Sequence, residues 1–238
     1  MQKRRLVIDL SPIVRFRATS EIKRPDPALI AGLATLRHIK GIQFEIFQET
    51  LLDHERDVGI TQEITDAKLQ LIIAPEPELI KFAMNMKPEM VYFGKRRPEG
   101  QKHATLDVFS NIEHLKTLSA PLRENGIGVG AFTSPDIDVI RQIHRLEFQN
   151  VLFSALGLIQ APSRGTRHEE LQRIMDAARL ARKFGLNVGC AKGLTYANAA
   201  DLSAIEDVLD IVAGEALFAR ALFTGLESAV DEFAALSI

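Results

Sequence analysis

The sequence predicts an α/β protein folded as one (β/α)8 barrel over residues 1–238, and three observations carry that prediction. Short apolar runs rich in β-branched residues alternate with longer stretches of helical period, the pattern of βα units feeding a parallel sheet. About eight such units can be counted, with roughly 20–35 residues from one strand to the next, room for a loop and a crossover helix. No Gly/Ser- or Pro-rich stretch divides the chain, and α/β barrels routinely take about 200–250 residues as a single domain. An open doubly wound sheet is the alternative, because the fourth strand is short and the segment Gly94–Asp107 has little local period.

Taken in order, the expected strands are Leu6–Leu10, Ile42–Phe47, Leu69–Ala74, Met90–Phe93, Ile127–Phe132, Asn150–Phe153, Asn187–Ala191 and Val208–Ala213. Helix stops precede three of them: His38-Ile39-Lys40-Gly41, Asn125-Gly126 and Lys183-Phe184-Gly185 place glycine just beyond a last turn. Pro27, Pro77 and Pro135 sit where helices begin, since a first-turn proline lacks only an N–H that would be unpaired there. Glu169–Phe184 brings Leu171, Ile174, Met175, Ala178 and Leu180 close to one face, an amphipathic cover for the sheet. The last helical stretch, through Leu217, Leu222 and Phe223 to Leu226, Val230, Phe233 and Leu236, is apolar enough to cover the barrel or to meet another subunit.

Charge and cysteine content narrow the function. With 29 basic against 31 acidic residues there is no basic field to hold nucleic acid. The apolar stretch near the N-terminus is too short for a signal segment or a membrane span. The single cysteine, Cys190, can form no internal disulfide, which fits a reducing, cytoplasmic setting. Neither a metal-ligand cluster nor a Walker-type loop nor a dinucleotide fingerprint is present, so no metal or other cofactor is expected.

In a barrel of this kind the site lies at the C-terminal ends of the strands, and phosphate is commonly held by the loops after strands seven and eight. The first of these loops offers Lys192, Gly193, Leu194 and Thr195, and the second Gly214 and Glu215 at the start of a helix. The two glycines would let backbone approach an anion, or they simply make tight turns. Arg15 and Arg17 stand two apart after the first strand, where an extended chain would aim both guanidinium groups at a phosphate dianion; the alternative is a solvated basic loop. Lys95-Arg96-Arg97 follows the fourth strand and reads as a solvated charge run. Asp107 is expected to cap the next helix, and Cys190 to pack as a small apolar residue.

The run Phe184-Gly185-Leu186-Asn187-Val188-Gly189-Cys190-Ala191-Lys192-Gly193-Leu194-Thr195-Tyr196-Ala197-Asn198 resembles the pyridoxine 5'-phosphate synthase family, whose stretch reads like GLxVNAGHGLTYxN. The likeness continues through Ile211–Leu217 and Arg220–Leu226 and touches Arg17, Pro25-Asp26-Pro27, Glu55–Val58, Lys87-Pro88 and Leu106-Asp107-Val108. It implies a homo-oligomeric (β/α)8 barrel acting on phosphorylated small molecules. The implied reaction is ring-closing condensation of 1-deoxyxylulose 5-phosphate with 3-amino-2-oxopropyl phosphate to pyridoxine 5'-phosphate, releasing phosphate and water.

Departures from the pattern are concentrated in the proton-transfer groups. Asp9-Leu10-Ser11-Pro12 stands where the family has Asn-x-Asp-His, and Glu45-Ile46-Phe47 where it has His-x-Arg. Family glutamates align with Ile72 and Phe153, and a family histidine with Lys192. The histidines present, His38, His54, His103, His114, His144 and His168, fall in expected helices or loops. Glu45 and Lys192 therefore become the candidate acid and base, with Lys192 lowered in pKa by desolvation and able to act as a base or to form a Schiff base. The competing readings are that the two form a plain buried ion pair, or that the chain is a non-catalytic paralogue, a phosphate-ligand sensor or assembly subunit.

Overall fold

The computed structural model describes residues 4–96 and 104–237. Chain order runs β1 (Arg5–Asp9), α1 (Ser11–Thr19), α2 (Pro27–Thr35), β2 (Ile39–Glu45), α3 (Leu51–Ile64), β3 (Lys68–Ile73), α4 (Pro77–Met86) and β4 (Met90–Phe93). It continues with α5 (Ile112–Glu124), β5 (Gly128–Thr133), α6 (Ile137–Arg145), β6 (Asn150–Ser154), α7 (Leu156–Gln160) and α8 (Arg164–Lys183). The last elements are β7 (Asn187–Ala191), α9 (Ala199–Ser203), β8 (Asp210–Ala213), α10 (Glu215–Thr224) and α11 (Leu226–Ser237). Each strand pairs in parallel with the next, and β8 returns to β1 through Arg5↔Asp210 and Val7↔Val212, closing a (β/α)8 TIM barrel. Closure decides against the open sheet.

Alternation along each strand sorts the side chains into two cores. Val7, Ile72, Met90, Tyr92, Phe132, Leu152, Ala191 and Val212 fill the barrel, whereas Ile8, Phe44, Leu71, Val91 and Phe153 belong to the layer beneath the helices. The N-terminal mouth is sealed by charge: Asp210 accepts from Arg5 at 2.8 and 2.9 Å and from Gln70 at 2.6 Å, and Glu89 accepts from Arg5 at 2.7 Å. Pairing and hydrogen bonding make this burial tolerable, and the cavity that Asp9 and Lys192 line lies at the other end.

Local signals account for most boundaries. Pro27 and Pro77 open α2 and α4, and Pro135 lies just ahead of Asp136, which caps α6 through the amides of Asp138 and Val139 at 2.8 and 3.1 Å. Ser163 and Thr166 form a reciprocal capping box on α8.

Four expectations are corrected. Strand β2 begins at Ile39, so Gly41 ends no helix; a Cβ there would lie 2.9 Å from Val7, and glycine is required for the two strands to approach. Arg15 and Arg17 lie on α1, not in extended chain, and at about 100° per residue they diverge. Asp107 accepts from the Phe109 amide at 3.0 Å and the Ser110 hydroxyl at 2.6 Å, folding the loop ahead of α5, whose N-cap is Asn111. The C-terminal apolar stretch is two helices broken at Gly225: Val230 and Phe233 are buried, while Leu222 and Phe223 are 86% and 88% exposed. Among the described residues no helix is long and apolar enough to cross a membrane.

Candidate functional site

The C-terminal ends of β1, β2 and β7 converge on one cluster. Lys192 Nζ donates to Asp9 Oδ2 at 2.6 Å and pairs with Glu45 Oε1. Asp9 Oδ1 accepts from both the hydroxyl and the amide of Ser11, and the same hydroxyl accepts from the Glu45 amide at 2.9 Å. Ser11 thus ties the Asp9 carboxylate to the backbone of Glu45 from the first turn of α1. Strand periodicity explains the meeting: Val7 and Asp9 alternate inward on β1, as do Gln43 and Glu45 on β2. Sequence reasoning did not name Asp9 and Ser11 as site residues; the signals were the inward alternation past Val7 for Asp9 and, for both, their place where the resemblance has Asn-x-Asp-His.

The electrostatics differ from the expected desolvated base. Burial alone would push the Lys192 ammonium down, but the charges of Asp9 and Glu45, with the hydrogen bonds they accept, outweigh it and hold its pKa above the ordinary lysine value. Burial would raise Asp9, yet Lys192 and Ser11 hold it below the usual carboxylate range. Lysine in this setting is a proton-loaded donor, which corrects the expectation of a lowered pKa and removes the basis for a Schiff base. Two of its three N–H donors go to carboxylates, which leaves one for a ligand.

Above this cluster opens a cavity of about 320 Å³ lined by Asp9, Lys192, Gly193, Thr195, Gly214 and Glu215, among others. That volume falls in the ordinary range for small-molecule sites. Gly193 has φ +75°, and a Cβ on it would sit 2.6 Å from the Ala155 carbonyl oxygen, so the loop after β7 can lie against β6 only with glycine there. Asn198 pins the loop: it donates to the Gly193 carbonyl at 2.8 Å and accepts from the Thr195 amide at 2.7 Å. The Thr195 amide is thereby committed, and its hydroxyl is the group left to contribute. Leu194 is buried by its side chain and lines the cavity beside the loop. Gly214, the N-cap of α10, has no side chain with which to cap the helix, and this N-terminus faces the cavity with the partial positive charge of the helix dipole.

The structure separates the two arginines. Arg15 reaches the mouth, where its Nη2 lies 3.1 Å from Glu215 Oε1 and its buried Nη1 has no hydrogen-bond partner among the described residues. Arg17 turns away and grips the fully buried Asp57 with both guanidinium nitrogens, at 2.7 and 2.5 Å, so it braces α1 against α3 instead of lining the cavity. Lys95 pairs through its backbone with Ala104, Arg96 bridges to Glu49, and Arg97 lies outside the described residues, as does His103. None of the described histidines lines the cavity. Cys190 is fully buried, and burial pushes its thiol up to about 12, which fits a packing role.

Comparison with known proteins meets this geometry at both levels. The profile of "Pyridoxal phosphate biosynthesis protein PdxJ" matches residues 6–237. The chain belongs to the PdxJ family. Relatives include the pyridoxine 5'-phosphate synthase of Syntrophobacter fumaroxidans, 34% identical with 98% of each chain covered, and that of Trichodesmium erythraeum, 28% identical with 95% of each covered. Among solved structures, a tryptophan synthase complex from Pyrococcus furiosus aligns over 99% of this chain and 100% of that chain with TM-score 0.65 at 16% identity. KGPDC from Streptococcus mutans aligns over 99% of both chains with TM-score 0.64 at 13% identity, and both likenesses are of fold alone.

Within the PdxJ fold the departures acquire positions. Ile72 faces the barrel interior where the family resemblance places a glutamate, and its register partner on β2 is Glu45. Phe153 lies in the helix-facing layer; the inward residues of β6 are Leu152 and Ser154, so Phe153 cannot mark a site position on that strand. This PdxJ family member has instead gathered its ionisable groups on β1, β2 and β7.

Proposed function

We propose that this chain is a pyridoxine 5'-phosphate synthase-like enzyme of vitamin B6 biosynthesis that acts on phosphorylated, carbonyl-bearing small molecules with an altered proton-transfer apparatus. The observation that carries this reading is the placement of Lys192 and Asp9, backed by the buried Glu45, in the floor of a cavity whose rim is the Gly193–Thr195 loop and the glycine-capped N-terminus of α10. The rim suits a phosphate monoester, bound by backbone N–H groups, the Thr195 hydroxyl and Arg15 swung from Glu215. The floor suits a carbonyl: the remaining Lys192 N–H stabilises an oxygen that gains negative charge, and Glu45 or Asp9 takes up the proton released as an amine adds. The exposed Leu222 and Phe223 at the end of α10 support the homo-oligomer that the family resemblance implies.

The test is incubation with 1-deoxyxylulose 5-phosphate and 3-amino-2-oxopropyl phosphate, with detection of pyridoxine 5'-phosphate by mass spectrometry. Product above the no-enzyme rate, lost in Lys192→Met and Glu45→Gln, is the expected result. Binding of both phosphates without turnover would assign the chain to the non-catalytic reading, for which the loss of the inward carboxylate at Ile72 speaks.

A further inference from the structure

Tyr196 stands next to Thr195 in the loop after β7, and the two side chains face opposite ways: Thr195 lines the cavity, whereas Tyr196 turns outward onto α11. Its hydroxyl donates to the Ala229 carbonyl of α11 at 2.8 Å, and its ring meets Phe233 of the same helix edge to face, with centroids 5.1 Å apart at 82°. Ala229 and Phe233 are fully buried, so the anchor is set in the packed face of α11. Arg220 of α10 lies over the same ring, 5.9 Å from its centroid, and donates to Glu232 of α11 at 2.8 Å. The ring is therefore the point at which the loop after β7, α10 and α11 meet. Burial and the nearby Glu232 push the Tyr196 hydroxyl up to about 12, which keeps it a donor throughout the neutral range.

These contacts bear on the cavity although, among the described residues, α11 contributes none to its lining. Asn198 shapes the loop from within, but both groups it binds belong to the loop itself, so it does not place the loop against α10. The N-terminus of α10 forms the other side of the rim, and α10 packs along α11 and is joined to it by Arg220–Glu232. Helix α11 is thus the common support of both sides. We propose that Tyr196 is a positioning residue, fastening the loop after β7 to α11 so that the Thr195 hydroxyl stays in reach of a phosphate seated on the N-terminus of α10; the inference rests on the phosphate reading above. A ligand held from two sides needs both sets of donors within hydrogen-bond distance at once, so a small drift of the loop weakens binding without any change in the residues that touch it.

Calorimetric titration of the intact protein with inorganic phosphate, beside thermal melts, tests this in two variants. Tyr196→Phe keeps the ring on Phe233 and deletes only the hydroxyl; Leu122→Ala, on α5, truncates a fully buried side chain on the far side of the barrel. Tyr196→Phe should lose about fivefold or more in affinity, the scale of one net hydrogen bond, while Leu122→Ala melts lower yet binds within about twofold of wild type. In a Thr195→Ala background the loss from Tyr196→Phe should shrink to less than about twofold, because the two residues act as one unit. Wild-type affinity in Tyr196→Phe, or an equal loss in Leu122→Ala, overturns the positioning role and leaves the phosphate reading standing. A loss that persists undiminished beside Thr195→Ala overturns Thr195 as the group positioned. A wild-type protein that binds no phosphate overturns both the positioning role and the phosphate reading.

Discussion

Lys192 Nζ lies 2.6 Å from Asp9 Oδ2 although 183 residues separate the two in sequence, and that contact joins the last part of the barrel to the first. Because β1 closes the barrel against β8, the loop after β7 comes within reach of β1 across only one intervening strand. The ion pair is thus a product of closure, and its energetics follow from burial.

Replacing Lys192 with Met should leave Asp9 and Glu45 as two uncompensated buried carboxylates and cost about 3–5 kcal/mol at neutral pH. The pH dependence has a definite sign. Asp9, held low, contributes stability that is complete above its unfolded value near pH 4 and is lost as pH falls through the folded value; Lys192, held high, contributes below about pH 10.4 and loses it as pH rises through its folded value. Urea denaturation across pH should show the variant gaining relative stability toward acid, where its carboxylates protonate, and Asp9→Asn with Glu45→Gln in the same background should restore much of the loss.

Arg17→Ala separates structure from ligand binding. Asp57 would keep Arg56, at 2.9 Å, but lose its fork of two bonds from within the fold. A loss of about 3 kcal/mol in stability is expected, with the affinity for inorganic phosphate unchanged within twofold. A variant of normal stability that no longer binds phosphate would return Arg17 to the binding site.

Two glycines with nearly equal backbone angles should respond differently to alanine. Gly185, φ +78°, has open space where a Cβ would point, so Gly185→Ala should cost only the left-handed backbone penalty of about 1–2 kcal/mol. Gly193, φ +75°, would drive its Cβ against the Ala155 carbonyl and displace the loop after β7, adding a further loss of stability and weakening phosphate affinity about 10-fold or more. Equal denaturation midpoints for the two variants would count against the steric account.

Cys190 should be silent toward iodoacetamide at pH 8 in the folded protein and react fully once urea unfolds it. Full burial excludes the reagent, and a thiol held near 12 supplies almost no thiolate. Labelling followed by mass spectrometry measures both rates.

The periodicities that announced the barrel are local, and they identified all eight strands, with ends displaced by a few residues where the signal was weakest. β2 shows why: Gly41 has the appearance of a helix stop, and only the approach of Val7 reveals that it is a strand glycine. The rim of the cavity was similarly legible, because Gly193, Thr195 and Gly214 lie in short segments whose place at strand ends follows from the order of elements.

Side-chain partners were not legible, because they depend on orientation and on residues far along the chain. Arg15 and Arg17 look equivalent in sequence, yet the roughly half turn of α1 between them sends the first to Glu215 and the second to Asp57. Lys192 looks like a base lowered by burial, and only the arrival of Asp9 and Glu45 from the other end of the chain reverses the direction of its shift. The sequence by itself determined the elements, their order and the family. Tertiary closure decided which charges meet, since a Coulomb interaction depends on distance in space and the local environment, not on separation along the chain.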